Sequence, residues 1–228
     1  MTTGAGRPAS GGGRWVEVSP ERLAGWLTGF SERHGGSAWT ATPELVVVRA
    51  ADGARAECHV PFPPLGGSSS PSFGGLVEHA AAERTVGILL ARLGGHAAGI
   101  FHGPTLVASR VGSRPVHGRS AAGGWSQQRF ARRRENQAVA AWAAAADAAA
   151  LVLLPVRDDL DGLVVGGDRR SVAAVLDDPR LATLRPLVTG SLLDTPDPRR
   201  RVLLASHQRF RAVRIRLVEP SDQPSAEG

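Results

Sequence analysis

Residues Thr85–Ser113 read TVGILLARLGGHAAGIFHGPTLVASRVGS. Three runs rich in apolar and β-branched residues are punctuated by LGG and HGP, so the stretch predicts an antiparallel meander of three strands. The segments C-terminal to this meander set the fold class. From Gln127 to Ala150 the chain is dominated by Ala, Arg, Glu and Gln, strong helix formers that predict one long helix. ALVLLP continues as a buried strand or the end of that helix, GLVVGG predicts a short strand, and RRSVAAVL a helix. LVTGSLL predicts a further strand, and DPRRRVLLASHQRF a helix capped by Asp197 with Pro198 as its first residue. Strands and helices in that order predict an α/β (α+β) fold, with a mixed sheet and flanking helices.

Towards the N-terminus, WVEV predicts a short strand, and SPERLAGWLTGF a helix with Ser19 as N-cap and Pro20 first. Leu23, Trp26, Leu27 and Phe30 recur at i, i+3, i+4 and i+7, an apolar helix face. ELVVVRA and ARAECHV flank Asp52-Gly53, a hairpin signal. Residues Pro61–Gly75, PFPPLGGSSSPSFGG, are dense in Pro, Gly and Ser and predict a linker or mobile loop. The expected organisation is a disordered start (1–14), a small α+β region (15–66), a linker (67–80), a larger domain (81–218) and a disordered end (219–228).

Composition narrows the function. The 228 residues are 42% apolar, enough for a packed core, and carry 27 basic and 21 acidic residues for a net charge of +6. Every basic residue is Arg, a usage that reports codon bias, so information lies in where the arginines cluster. The single cysteine, Cys58, excludes an intrachain disulfide and a multi-cysteine metal site and fits a reducing cytosol. MTTGAGRPASGGGR has no apolar core and no long apolar run is apparent, so a soluble cytoplasmic protein with no membrane association is expected. No metal and no small-molecule cofactor are expected.

Gly118–Trp142, GRSAAGGWSQQRFARRRENQAVAAW, concentrates the chemistry. Gly123 and Gly124 permit positive φ and close approach of another backbone, and Ser126 is placed to cap the following helix. Arg129, Arg132 and Arg133 share a helix face at i, i+3 and i+4, and with Arg134 they are offset only by Glu135. Such a face repels itself unless an anion lies across it, and RNA phosphate is the natural anion. A flexible loop followed by a solvated helix face is the alternative.

These residues carry a resemblance. GGWSQQRFAR resembles the loop-to-helix segment of eukaryotic and archaeal class 1 peptide release factors, where Gly-Gly-Gln precedes Ser and an Arg-Phe-Ala-Arg helix start. Here Trp125 stands in the slot of that glutamine, and glutamine follows at Gln127 and Gln128. Gly124-Trp125-Ser126-Gln127 is similar to the Gly-x-Ser/Ala-Gln arrangement of the Vms-like release factor (VLRF) group, relatives of the peptidyl-tRNA hydrolase of ribosome quality control. The similarity runs from about Thr85 to Phe210 and includes GLVVGG and DDPRL.

The resemblance implies a release-factor catalytic fold and a ribosome-dependent peptidyl-tRNA hydrolase. Its catalytic loop would be Gly123, Gly124, Ser126 and Gln127. Arg119, Trp125, Gln128, Arg129, Arg132, Arg133 and Arg134 would meet the large-subunit rRNA and the peptidyl-tRNA. Hydrolysis is attack of water on an ester with charge developing on the carbonyl oxygen, so a neutral side chain offering both a donor and an acceptor suits it. The family mechanism implies that the ribosome and the terminal 2′-OH of the tRNA supply much of the rest. A non-catalytic RNA-binding rescue adaptor is the second reading, because Trp125 replaces the familiar glutamine.

Other features read as structural. Asp158, Asp159 and Asp161 form a polar turn rather than a nuclease metal site, and VVGGDRRS lacks the spacing of a phosphate loop. His79, His96, His102 and His117 have no metal-ligand spacing, while Cys58 and Trp142 read as core residues.

Overall fold

A computed structural model of the chain describes residues 7–10, 12–66, 72–113 and 126–222. In chain order the elements are β1 (Arg7–Pro8), β2 (Arg14–Val18), α1 (Pro20–Arg33), β3 (Ser37–Ala41), β4 (Leu45–Ala50), β5 (Arg55–His59) and α2 (Leu76–Ala81). Next come β6 (Thr85–Arg92), β7 (Gly95–His102), β8 (Thr105–Ser113), α3 (Ser126–Leu153), β9 (Gly162–Gly167), α4 (Arg169–Leu176), α5 (Arg200–Phe210) and β10 (Val213–Val218). They divide into two units, Glu83–Phe210 and Met1–Ala82 with Arg211–Gly228.

In the Glu83–Phe210 unit the meander forms as read, and the four-stranded sheet runs β8-β7-β6-β9. β6–β7 and β7–β8 are antiparallel, whereas β6–β9 is parallel, with Val86 opposite both Phe101 and Gly162. A parallel neighbour needs a long crossover, and α3 lies in it. Strand alternation sorts the two faces. Leu89, Ala91, Ala98, Ile100, Leu163 and Val165 form one core with Ala145, Ala146, Ala149 and Leu153 of α3. On the other face Phe101 meets Phe210 of α5 edge-on at 5.4 Å. A side chain at Gly99 would lie 3.3 Å from Leu203 of α5. The sheet is therefore sandwiched between α3 and α4 on one side and α5 on the other.

Three expectations for this unit are corrected. LVTGSLL is not a strand: the chain makes only two isolated bridges to β9, Leu163 with Val188 and Gly166 with Leu193. A 3-10 helix over Pro179–Leu187 takes up the first residue of the stretch, and Gly190 at φ +72° turns the chain, so a continuous ladder is interrupted. α5 begins at Arg200, and the Arg199 carbonyl, not Asp197, receives its first bonds, from Val202 and Leu203 N–H at 2.9 and 3.0 Å. Pro198 is buried instead against Gly95 at the start of β7. Finally, Glu135–Asp159 is long and apolar enough by length and composition to cross a bilayer. Its alanines at 138, 141, 145, 146, 148 and 149 are buried within the protein.

The other unit is a six-stranded antiparallel sheet in the order β1-β2-β10-β5-β4-β3. Leu23, Leu27 and Phe30 of α1 are fully buried with Val46, Val48, Ala56, Cys58 and Ile215. Ser19 holds the extended N-cap conformation, and its hydroxyl makes no cap hydrogen bond. Asp52 Oδ1 accepts from Ala54 N–H at 2.9 Å in the hairpin turn, where Gly53 has φ +92°. Burial pushes the Cys58 thiol up to about 12.

The boundaries differ from the expected ones. β10, read as part of the 81–218 domain, pairs between β2 and β5. Within the expected linker, Leu76–Ala81 is the helix α2, with Leu76 buried; residues 67–71 lie outside the described residues. Arg7–Pro8 pairs with Trp15 and Arg14, and Pro220–Asp222 makes a 3-10 turn, so both expected disordered ends contain ordered backbone.

The β9–α4 turn provides a test. At Gly167, φ is +109° and a Cβ would sit 2.0 Å from the Ala91 carbonyl oxygen, whereas Gly190 has positive φ in open space. Gly167→Ala should lower the unfolding free energy by about 3 kcal/mol or more, and Gly190→Ala by about 1 kcal/mol, in urea denaturation. Equal losses would refute the steric account.

Candidate functional site

The candidate site is built on the N-terminal half of α3. Ser126, read as the cap in front of the helix, lies within α3 itself. Gly123, Gly124, Trp125 and Arg119 lie outside the described residues. Gln127, Gln128, Arg129 and Arg134 are within α3, and only their backbone is described.

Arg132 and Arg133 are exposed and take part in no ion pair among the described residues. Helical phase explains why. At 3.6 residues per turn, positions 132 and 133 lie about half a turn from the row 138, 141, 145 and 149. That row is the buried one, so Arg132 and Arg133 are on the opposite, solvent-facing side. Glu135 is also exposed and is the sole carboxylate in this half of the helix.

What fixes this rotation is a set of contacts further along α3. The indole N–H of Trp142 donates to the hydroxyl of Ser171 in α4 at 3.0 Å, and Ser171 is buried. The Arg170 guanidinium lies 5.4 Å from the Trp142 ring, a cation–π contact. One turn on, Asp147 meets Arg180 Nη1 at 2.8 Å, and Arg180 is also bound by Asp178 at 2.7 Å. Asp178 is held below the usual carboxylate range, first by the Arg180 side chain and then by its backbone N–H. The same two carboxylates raise the Arg180 pKa. Because these charges are exposed, their value is orientation more than stability.

The expected core role of Trp142 is thus half right: it is partly buried against the core, with its polar edge used as a latch. Arg110 is a candidate that the sequence reading misses. In β8 it pairs with Ala98, whose side chain is in the α3-side core, so Arg110 stands on that same face of the sheet. It is exposed and has no ion pair among the described residues, and strand alternation through Ala108, Arg110 and Gly112 is the signal that could have found it.

The remaining polar features serve the scaffold. Asp161 Oδ2 accepts from Thr85 N–H at 2.7 Å and ties the acidic turn to β6, while Asp158 pairs with Arg157. Asp168 caps α4 by accepting from Ser171 N–H at 2.7 Å, so VVGGDRRS is a tight strand-to-helix turn. His79 Nε2 is 2.8 Å from the Pro61 carbonyl oxygen, and His96 is buried with Gly112 against its ring. His102 is exposed and 3.5 Å from Glu83; His117 lies outside the described residues. Among the described residues, no group of three or more His, Cys, Asp or Glu is placed to hold a metal.

The model of the Actinobacteria/chloroflexi VLRF1 release factor family matches residues 84–216. No curated protein matches the chain. Among solved structures, the crystal structure of the archaeal translation termination factor aRF1 is similar at 12% identity and a TM-score of 0.39, over 86% of this chain and 66% of that one.

The latch has a measurable consequence. Trp142→Phe should destabilise by about 1–2 kcal/mol, because the buried Ser171 hydroxyl loses its donor. Ser171→Ala should cost a similar amount, and the double variant little more than either single one. Additive losses in urea unfolding would show that the two side chains act separately.

Proposed function

This chain belongs to the Actinobacteria/chloroflexi VLRF1 release factor family, and we propose that it hydrolyses peptidyl-tRNA on stalled ribosomes or large subunits in the cytoplasm. The observation that carries the proposal is one juxtaposition. The sequence Gly123-Gly124-Trp125-Ser126-Gln127 runs directly into a helix whose solvent-facing side presents Arg132 and Arg133 without carboxylate partners.

In the proposed reaction, water adds to the ester carbonyl carbon and the acyl C–O bond breaks. The water proton passes to the departing 3′-oxygen, giving a free peptide carboxyl and a tRNA with a 3′-hydroxyl. Gln127 accepts from the attacking water with its side-chain carbonyl or donates to the developing oxyanion with its amide. Gly123 and Gly124 allow the backbone of the loop to approach closely. Arg129, Arg132, Arg133 and Arg134, with Arg119, Trp125 and Gln128, contact rRNA or tRNA and set the register of the loop. Arg110, exposed on the face of the sheet on which α3 packs, would offer a further cation to the same RNA.

The second reading, a non-catalytic RNA-binding rescue adaptor, is favoured by Trp125 in place of the release-factor glutamine. Release of labelled peptide from peptidyl-tRNA on purified 50S and 70S particles separates the two. Gln127→Ala should lower single-turnover release by about 100-fold or more while leaving ribosome binding intact, and Gln128→Ala should matter less. Full loss from Gln128→Ala with Gln127→Ala active would move the catalytic residue by one position. No release by the unaltered protein would establish the adaptor.

Arg132→Glu combined with Arg133→Glu should weaken ribosome binding and flatten its salt dependence. Each lost phosphate contact removes about 0.9 from the slope of log K against log salt on duplex, or about 0.7 on single strands. An unchanged slope would make the stripe a solvated face and nothing more.

A further inference from the structure

The six-stranded sheet has a second face that the release reaction does not use. α1 packs on the side holding Val46, Val48, Ala56, Cys58 and Ile215, so alternation sends their neighbours to the outer side. Such a face ordinarily carries solvated, mutually compensating polar residues. This one is built around an aromatic ring. Trp15 of β2 is half-buried there, with the Arg214 guanidinium of β10 lying 3.8 Å from its ring centroid. The His59 ring of β5 is 5.3 Å from the same indole. Three adjacent strands therefore contribute to one aromatic and cationic cluster.

The charges around it are not balanced. Arg214 is exposed and has no ion pair among the described residues, although Glu17 is its register partner on β2. Arg49 and Arg55 stand directly opposite one another across β4 and β5. A sheet avoids like charges in that relation, because they repel at close range. Glu57 is shared: it lies 3.1 Å from Arg55 Nε, a charge contact without hydrogen-bond alignment, and 3.3 Å from Arg216 Nη1. Arg49 makes no ion pair among the described residues. His59 is kept below the usual imidazole range by partial burial and then by Arg214, so near neutral pH its ring is available as an uncharged donor or acceptor.

A stacking surface flanked by guanidiniums, two of which (Arg49 and Arg214) have no ion pair among the described residues while Arg55 shares Glu57 with Arg216, is the chemistry that holds an unpaired nucleic-acid strand: bases stack on aromatic or guanidinium planes and phosphates follow the cations. We propose that this face binds single-stranded RNA, with a base stacked on the Trp15–Arg214 pair and phosphates lying over Arg49 and Arg55. The choice of RNA as the strand rests on the ribosomal role proposed above for this member of a release factor family. This face belongs to the unit that does not contain α3, and its proposed role does not depend on whether the chain hydrolyses peptidyl-tRNA.

The test uses the full chain carrying Arg132→Glu and Arg133→Glu, which removes the α3 stripe, and a short fluorescein-labelled oligoribonucleotide followed by anisotropy. Arg214→Gln should lower affinity about tenfold, within the range of one lost stacked base. Arg49→Gln should lower it less and reduce the salt slope. Trp15→Phe should retain most binding and Trp15→Leu should not, with circular dichroism confirming that each variant is folded. Affinity unchanged by both arginine substitutions would overturn the proposal. So would displacement of the RNA by equimolar poly-glutamate, which would assign the face to an acidic protein. Arg214→Gln introduced alone, with Arg132 and Arg133 retained, should leave peptide release on ribosomes unchanged, so that loss of oligoribonucleotide binding in the test chain supports the proposal independently of the catalytic reading.

Discussion

The packing of an alanine-lined helix face on a sheet of small and branched residues is the constraint on which the Glu83–Phe210 unit depends. Ala145, Ala146 and Ala149 share a core with Leu89, Ala91, Ala98 and Ile100. Small side chains on both partners permit close approach, and close approach restricts rotation, because packed interiors tolerate little sliding. Gly87 contributes to this closeness, since a Cβ there would press on Leu153, Leu160 and Leu163 at 3.2 to 3.3 Å. Alanine buries little area per residue, so the fit is supplemented by directional contacts: the Trp142–Ser171 hydrogen bond and the Asp147–Arg180–Asp178 array. The direction in which Arg132 and Arg133 point is set a turn or more away from them.

Arginine is the only basic residue in the chain, yet the protein uses it in two electrostatic regimes. Arg180, Arg185, Arg157 and Arg211 are matched to carboxylates and organise local structure. Arg110, Arg132, Arg133, Arg49 and Arg214 have no ion pair among the described residues. The planar guanidinium suits both tasks, forking onto carboxylates in the first and remaining weakly hydrated enough to meet phosphate or a base in the second. The division is invisible in net charge, and it separates scaffold from surface in both units.

Local signals make most elements legible and non-local ones do not. The β6–β8 meander, the β4–β5 hairpin, α1 and α3 can be read from periodicity and turn residues within a dozen positions of themselves. LVTGSLL misleads because an apolar run says nothing of the ladder it will lack, and the turn at Gly190 falls between its two isolated bridges. Val213–Val218 alternates with period two and still escapes assignment to the smaller unit, because its partners Trp15 and Glu57 are far away in sequence. For the site, the basic stripe can be read from i, i+3, i+4 spacing, whereas the latch that aims it joins residues 29 apart. Arg110 needs the register of β7 and β8 to be known before its face is defined.

The place of β10 bears on how the protein is made. β2 and β5 do not touch as neighbours; each pairs with β10 between them, so the smaller sheet lacks its central rung until residues 213–218 have emerged from the ribosome. The larger unit has all of its strands earlier, and its contacts are closer in sequence. Vectorial synthesis therefore lets the 83–210 unit fold first, while the N-terminal segment waits as an open, incompletely paired sheet with the flanks of β2 and β5 exposed. Long-range closure of this kind is slow relative to local pairing, and it makes completion of the smaller unit a register of whether the chain has been translated past β10.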